Sequence, residues 1–255
     1  MATKSKDISI EVQPTNRGRI SFCILGETPL ICHRMSSKAL QELLLPKGKK
    51  TAADKASSLK HNPIDEFREA PYTNLDPDGP TLIQHLASAF KQGIRSAALD
   101  MPGANKTQIG RLTWVEGERV DIYGIPNLFM AVTRSSDMNR TPDVRTRAIV
   151  PQWACRITVS FVQPILREQA IVNLLAAAGI TQGLGDWRPS KGSGTYGQFE
   201  LVAEDDPRFV HLITHCGRAA QVSAMDNPEP YNDESERMLD WFKSESSRRG
   251  FKVFA

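Results

Sequence analysis

No stretch of this 255-residue chain approaches the roughly 18 consecutive apolar residues that a membrane-spanning helix needs. The opening segment, MATKSKDISIEVQ, lacks the apolar centre of an export signal. Cysteine is scarce: the four are Cys23, Cys32, Cys155 and Cys216, and none forms a C-x-x-C pair. That spacing argues against a zinc module and reads as reduced thiols. A soluble, cytoplasmic protein with no membrane partner is expected. Acidic metal clusters are also missing. Asp76 and Asp78 fall in a Pro/Gly turn, and Asp205-Asp206 at a strand end. His211-x-x-x-His215 has a ligand-like spacing but no H-E-x-x-H glutamate and no third ligand nearby. No metal and no cofactor are therefore expected. A strong charge of either sign is lacking too. The net charge of +3 permits a polyanionic partner without requiring one, so the clustering of the basic residues decides.

What is present is a chain with 40% apolar residues, enough to build a core and to exclude wholesale disorder. RGRISFCILG (17–26) alternates Ile20, Phe22 and Ile24 with Ser21 and Cys23, a period-two strand. A short helix follows, capped by Ser36 or Ser37, striped by Leu40, Leu43 and Leu44, and ended by Pro46. Residues 46–80 read as a long polar insertion, with Lys47, Lys49, Lys50, Lys55 and Lys60 in its first half. Over 80–101 the spacing of Ile83, Leu86, Ala87, Phe90, Ile94 and Ala97 predicts a helix, with Lys91 and Arg95 sharing another face. Residues 111–133 suggest short strands broken at Glu116-Gly117 and Gly124. RSSDMNRTPDVRTR (134–147) carries Arg134, Arg140, Arg145 and Arg147 among turn formers and reads as a projecting hairpin or loop.

The clearest strand is 150–163. Trp153, Cys155, Ile157, Val159 and Phe161 line one face, and Arg156, Thr158 and Ser160 the other. A helix over 167–179 turns Ala170, Ile171, Leu174, Leu175 and Ala178 inward and stops at Gly179. A last strand lies in YGQFELVAE. Stripped of insertions the order is βαββαβ, so the expected fold is α+β and ferredoxin-like (RRM-type), with the helices on one sheet face and the other left as a platform. The expected division is an N-terminal arm (1–17), a core (18–204) with insertions at 46–80 and 134–147, and a C-terminal extension (205–255). In that extension 232–251 forms an amphipathic helix anchored by Met238, Trp241 and Phe242.

The stretch GLGDWRPSKGSGTYGQFELV (183–202) contains Gly192-x-Gly194-x-x-Gly197, which imitates a nucleotide loop. A Rossmann turn needs a helix after it, and here a strand follows. A Walker loop needs G-x-x-x-x-G-K-[ST], and Lys191 is followed by Gly192. A kinase loop must open its domain, and no V-A-I-K, H-R-D or D-F-G follows. Two readings remain. The glycines let backbone N–H groups approach a sugar-phosphate chain, with Arg188 and Lys191 supplying charge and Trp187 and Tyr196 stacking on bases. Alternatively the glycines merely turn the chain and Trp187 packs on the core.

Glycine-apolar-glycine, a basic stretch, then glycine-x-glycine and an aromatic entering the last strand resembles the glycine-rich loop of the RAMP superfamily, the ferredoxin-like RNA-binding proteins of CRISPR effector complexes. HLASAFKQGIRSAA (85–98) resembles that family's helix, with small residues before Lys91 and Arg95. The first strand leading into GETPLICHRMS is similar to the opening of its backbone-type members. The likeness covers roughly residues 18–203 and extends to phage or mobile-element relatives. The loop is longer than the family's, and residues past 205 have no counterpart.

This resemblance implies a non-catalytic subunit for single-stranded RNA, or DNA, in antiviral defence. Its partners would be copies of itself and other effector-complex subunits. The implied contacts are Gly183, Gly185, Trp187, Arg188, Lys191, Gly192, Gly194, Tyr196 and Gly197, with Lys91 and Arg95 on the helix. Arg134, Arg140, Arg145 and Arg147 would grip as a thumb, and His33 and Arg34 follow the first strand. Some RAMP proteins cleave RNA with a histidine, and His33, helped by Tyr196, is the candidate for that alternative.

Overall fold

A computed structural model describes residues 14–45, 59, 61–134, 141–191 and 194–251. In chain order the first elements are β1 (Asn16–Gly26), β2 (Leu30–Cys32), α1 (Ser37–Leu44), α2 (Pro63–Glu69), β3 (Tyr72–Thr73), β4 (Ile83–Leu86) and α3 (Ala87–Ala97). Next come α4 (Lys106–Leu112), β5 (Thr113–Val115), β6 (Arg119–Tyr123), β7 (Asn127–Arg134), β8 (Pro142–Val150) and β9 (Ala154–Gln163). The chain closes with α5 (Glu168–Thr181), β10 (Phe199–Val202), α6 (Pro207–His215), α7 (Arg218–Asp226) and α8 (Asp233–Arg248).

β1 lies between β9 and β10, antiparallel to both, in the register Ile20 to Val159 and Cys23 to Val202. β9 pairs in turn with β5 and β6, the two pieces of a strand interrupted at Glu116 and Gly117. α3 and α5 pack side by side over one face, where Ile24, Phe90, Ile94, Ile122, Val159, Phe161 and Leu175 are fully buried. The sheet order β10-β1-β9-β5/β6, with its two crossing helices, is the ferredoxin-like βαββαβ arrangement the sequence predicts. β4 and β3 extend the sheet beyond β6, and β2, β8 and β7 form a second, smaller sheet.

Several local expectations are corrected. Ile83–Leu86 is strand, and the helix begins at Ala87, because this segment pairs with β6 before the chain turns. The insertion expected over 46–80 is partly core. Asn62 caps α2, Pro63 occupies its first turn, and Phe67 is fully buried. Lys47, Lys49, Lys50, Lys55 and Lys60 lie outside the described residues. The leucine stripe of α1 faces solvent: Leu43 and Leu44 are 73% and 80% exposed. Gly179 does not stop α5. It lies inside the helix where a Cβ would overlap the Phe199 carbonyl, and the stop is Gly183 at φ +63. In α8 the buried anchor is Leu239, whereas Trp241 is 68% exposed.

The second face of the sheet is not left wholly free. α6 lays Phe209 and Leu212 over Leu25 and Ala154 at one end. α7 then inserts Gln221, fully buried, at the sheet's β4–β6 margin. Its amide oxygen accepts from the Leu82 and Ile83 N–H groups at 2.8 and 3.0 Å, and its nitrogen donates to the Ile122 and Gly124 carbonyls at 2.7 and 3.0 Å. The described part of the C-terminal extension, residues 205–251, therefore packs on the same body.

The second sheet is tied to α2 by His61. Its Nδ1 lies 2.6 Å from Glu66 and its Nε2 2.9 Å from Asp143, while Glu66 also accepts the Thr146 N–H. The Glu66 hydrogen bond raises the His61 pKa against the opposing effect of burial, and Asp143 adds to it. A raised folded-state pKa stabilises the fold fully below about pH 6.5, and the contribution fades as pH climbs through the raised value. His85 and His33 act with the opposite sign, because burial lowers both. Their contribution is lost as pH falls below about 6.5. Thermal melts across this range should show the wild-type advantage over His61→Gln shrinking above about pH 6.5. An advantage that does not change with pH would show that His61 is not charged in the fold.

Candidate functional site

Gly183 follows the C-cap of α5, and its N–H donates to the Ala178 carbonyl at 3.0 Å. The chain then runs along the C-terminal half of α3, and the two walls enclose a groove of about 390 Å³. The helix wall is Ala89, Gln92, Gly93 and Ser96, at the spacing of one helical face. The loop wall is Gln182 to Asp186 with Arg188, Ser190 and Lys191. His33, Tyr72, His85 and Leu86 close the end. The small side chains make room, and the polar groups sit along the rim.

The loop glycines serve the loop itself. Gly183, Gly185 and Gly197 have φ of +63, +75 and +72, and Trp187 shares this region at +50. A Cβ at Gly185 would overlap the Ile31 carbonyl, one at Gly197 the Leu184 carbonyl, and one at Gly194 the Trp187 carbonyl. The N–H groups of Leu184, Asp186, Lys191, Tyr196 and Gly197 all donate within the protein, at 2.9–3.2 Å. These N–H groups are therefore not free to form the expected rail, and this part of the loop, closed on β2 and β10, presents side chains to the groove. Gly192 lies outside the described residues.

Arg188 folds back on the loop, donating from Nη1 to the Gly185 carbonyl at 2.7 Å and from Nε to Ser190 Oγ at 2.9 Å. Lys191 is exposed. The groove's two imidazoles report the local field. Burial, then Arg147, then Lys191 and Arg145 push His33 down against the pull of Asp186. Burial takes His85 down to about 4, with Arg188 and Arg119 adding to the effect. Both rings are neutral near pH 7, so their nitrogens offer one donor and one acceptor each. At the closed end two guanidinium groups approach the Tyr72 ring, Arg119 at 4.1 Å and Arg34 at 6.0 Å from its centre. Behind the loop Arg147 approaches Asp186 at 3.7 Å, and burial lowers its pKa.

The structure therefore brings together His33, Gly183, Gly185, Arg188 and Lys191, with Arg34, Arg145 and Arg147 close behind. Other expected residues lie elsewhere. Lys91 and Arg95 turn away from the groove: Lys91 reaches the Trp114 ring, and the Arg95 stem covers Gly110 on α4. Trp187 and Tyr196 pack against Phe129, with ring centres 6.0 and 6.5 Å away, so they brace the second sheet and do not line the groove. Arg134 is at the exposed end of β7, and Arg145 pairs with Asp143 at 3.0 Å. Arg140 lies outside the described residues. Tyr72, His85, Gln92, Ser96 and Arg119 were not anticipated. Ala89, Gln92, Gly93 and Ser96 form a small and polar stripe that the helical period makes visible; Tyr72 and Arg119 meet only through the strand pairing. Among the described residues no group of three or more metal-ligating side chains converges, and no helix is long and apolar enough to cross a membrane.

No family model matches the sequence, and no curated protein is similar to it. Among solved structures, the chain is similar over 73% of its length to one in a type III-B Cmr-beta complex bound to cognate target RNA, at 16% identity and a TM-score of 0.38. It spans 59% of that chain's length. It is also similar to Cmr6 from Pyrococcus furiosus, at 10% identity and a TM-score of 0.34, over 73% of this chain and 99% of that one. Both neighbours are RAMP-superfamily proteins of type III CRISPR complexes.

Proposed function

We propose that the chain binds single-stranded nucleic acid, RNA in preference to DNA, in the groove between α3 and the loop after α5, and that it does so without cleaving it. One observation carries the reading: a groove of about 390 Å³ walled by small residues, in which cations from several segments act on both lining histidines. Such a field favours a polyanion, and phosphate contacts supply most of the affinity of sequence-neutral binders. Groove width set by alanine and glycine suits a polymer backbone that passes through. The preference for RNA rests on the resemblance of the loop and helix to RAMP proteins, as does the reading of the chain as a repeated subunit beside copies of itself or other effector subunits.

The binding reading is favoured over the nuclease by two features. Burial and the neighbouring Arg147 lower the pKa of His33, the nuclease candidate, which disfavours the protonated form a general acid needs. The expected helper Tyr196 is turned into the aromatic cluster around Phe129. Fluorescence anisotropy with labelled single-stranded RNA and DNA, over a series of salt concentrations, tests the proposal. Binding that weakens linearly in log salt is expected; no binding at low salt, or a flat slope, refutes it. Incubation of the same RNA in chelator should leave it intact, and cleavage that disappears in His33→Ala would establish the nuclease instead.

A further inference from the structure

The sequence places Lys91 beside the groove, yet the structure sends it to a different surface. Its Nζ lies 5.7 Å from the centre of the Trp114 ring on β5, and the Arg17 guanidinium lies 6.0 Å from the same ring. Trp114 is 39% exposed on the sheet face opposite α3 and α5. It stands in the antiparallel row Arg19–Ser160–Trp114. α6 covers the other end of this face, over Leu25 and Ala154, and leaves the end with Arg17, Arg19, Ser21 and Thr158 open.

The charges here are uneven. Arg19 is paired with Glu116 at 2.6 Å, and Glu116 also accepts from Ser160 at 2.5 Å. That acid is therefore already matched. Arg17 attracts Glu116 only at longer range, and among the described residues neither Arg17 nor Lys91 forms a salt bridge with a carboxylate. Both lie over the ring near the outer limit of the cation–π range, where the attraction that holds them there is weak. A part-exposed planar aromatic with two cations beside it is a combination that can hold a base and its neighbouring phosphates.

We infer that this open end of the sheet is a second contact site for single-stranded nucleic acid, in which a base stacks on Trp114 and Arg17 and Lys91 take the phosphates on either side. It rests on the reading of the chain as a nucleic-acid binder and adds a site separate from the groove. The occupant is argued from charge complementarity: around Trp114 three cations, Arg17, Arg19 and Lys91, face the single carboxylate of Glu116, which favours an anion, and the ring favours a flat one. A protein docking on this face is the competing occupant.

Two labelled RNAs test it by anisotropy, one only long enough for the groove and one long enough to reach both sites. Trp114→Ala should leave the short RNA's affinity unchanged and weaken the long one about tenfold to a hundredfold, the range of one lost base stack. Trp114→Phe should restore most of the loss, and its thermal melt shows whether the fold is intact. Replacing Arg188 and Lys191 should weaken both RNAs. If it weakens neither while Trp114→Ala still weakens the long one, the groove reading fails and the second site stands. The second site is overturned if Trp114→Ala leaves the long RNA unaffected, or weakens both RNAs equally. It is also overturned if the variant only abolishes a self-association seen by light scattering, which would give the face to a second copy of the chain.

Discussion

Gly197→Val should lower the melting temperature by roughly 6–12 °C and abolish nucleic-acid binding. Two separate costs combine. A side chain at φ +72 carries backbone strain, of order 1–3 kcal/mol for such a residue. The new Cβ would also overlap the Leu184 carbonyl, the group next to the one that holds the loop shut. Gly197 makes two closing hydrogen bonds that the new side chain disrupts: the Leu184 N–H donates to the Gly197 carbonyl at 2.9 Å, and the Gly197 N–H donates to the Pro29 carbonyl at 2.9 Å. A total near 3 kcal/mol, at about 2–4 °C per kcal/mol for a chain of this size, gives the stated range. Gly103 provides the control. It has φ of +80, but a Cβ there meets nothing within 4 Å. Gly103→Ala should therefore cost only the strain, about 1–2 kcal/mol, and leave binding intact. Equal losses in the two variants, measured by differential scanning calorimetry, would show that the loop does not depend on close packing at Gly197.

Arg188→Ala combined with Lys191→Ala should weaken single-stranded RNA binding about a hundredfold at low salt. A charge-assisted hydrogen bond contributes about 1.5–3 kcal/mol, and each 1.36 kcal/mol is tenfold in affinity. The slope of log affinity against log salt should become shallower by about 1.4, because each phosphate contact on a single strand contributes about 0.7. Arg188 also braces the loop through the Gly185 carbonyl and Ser190, so a melt must accompany the titration. Lys191→Ala alone removes an exposed charge and should change the slope by about half as much without affecting the melt. A slope that stays at the wild-type value in the double variant would remove these residues from the interface.

The main fold was legible because the decisive strands alternate cleanly. Residues 17–26 and 150–163 show period two with the correct inward faces, and these become the central pair of the sheet. The start of α3 was not legible. Ile83 and Leu86 continue the helical period of Phe90 and Ile94, and only pairing with β6 turns them into strand. α2 carried an Asn cap and a proline at its start, but the polar residues around it outweighed that signal.

For the candidate site, the sequence marked a glycine-rich loop and left two uses of its glycines open; Gly183, Gly185 and Gly197 adopt left-handed turns, and a Cβ at Gly185 or Gly197 would meet a backbone carbonyl. A sequence shows that glycine allows a left-handed turn; it does not show which carbonyl fills the space where a Cβ would be. Lys91 and Arg95 share a helix face, as the spacing requires. The rotation of that helix against the sheet, set by Ala87, Phe90, Ile94 and Ala97, turns the face away from the groove.

Gln221 has a consequence for how the protein is made. The amide it presents to Leu82, Ile83, Ile122 and Gly124 leaves the ribosome well after all four. Until then these backbone groups must stay hydrated or find temporary partners, because buried and unpaired they would each be costly. β1 likewise waits for β9 and β10. Such long-range pairing delays closure of the core until β9, β10 and α7 have all been synthesised. A truncation after residue 204 keeps every strand of the main sheet yet removes the side chain that satisfies its margin. The expected product is an aggregation-prone fragment, and a workable shortened version should retain the chain through α8.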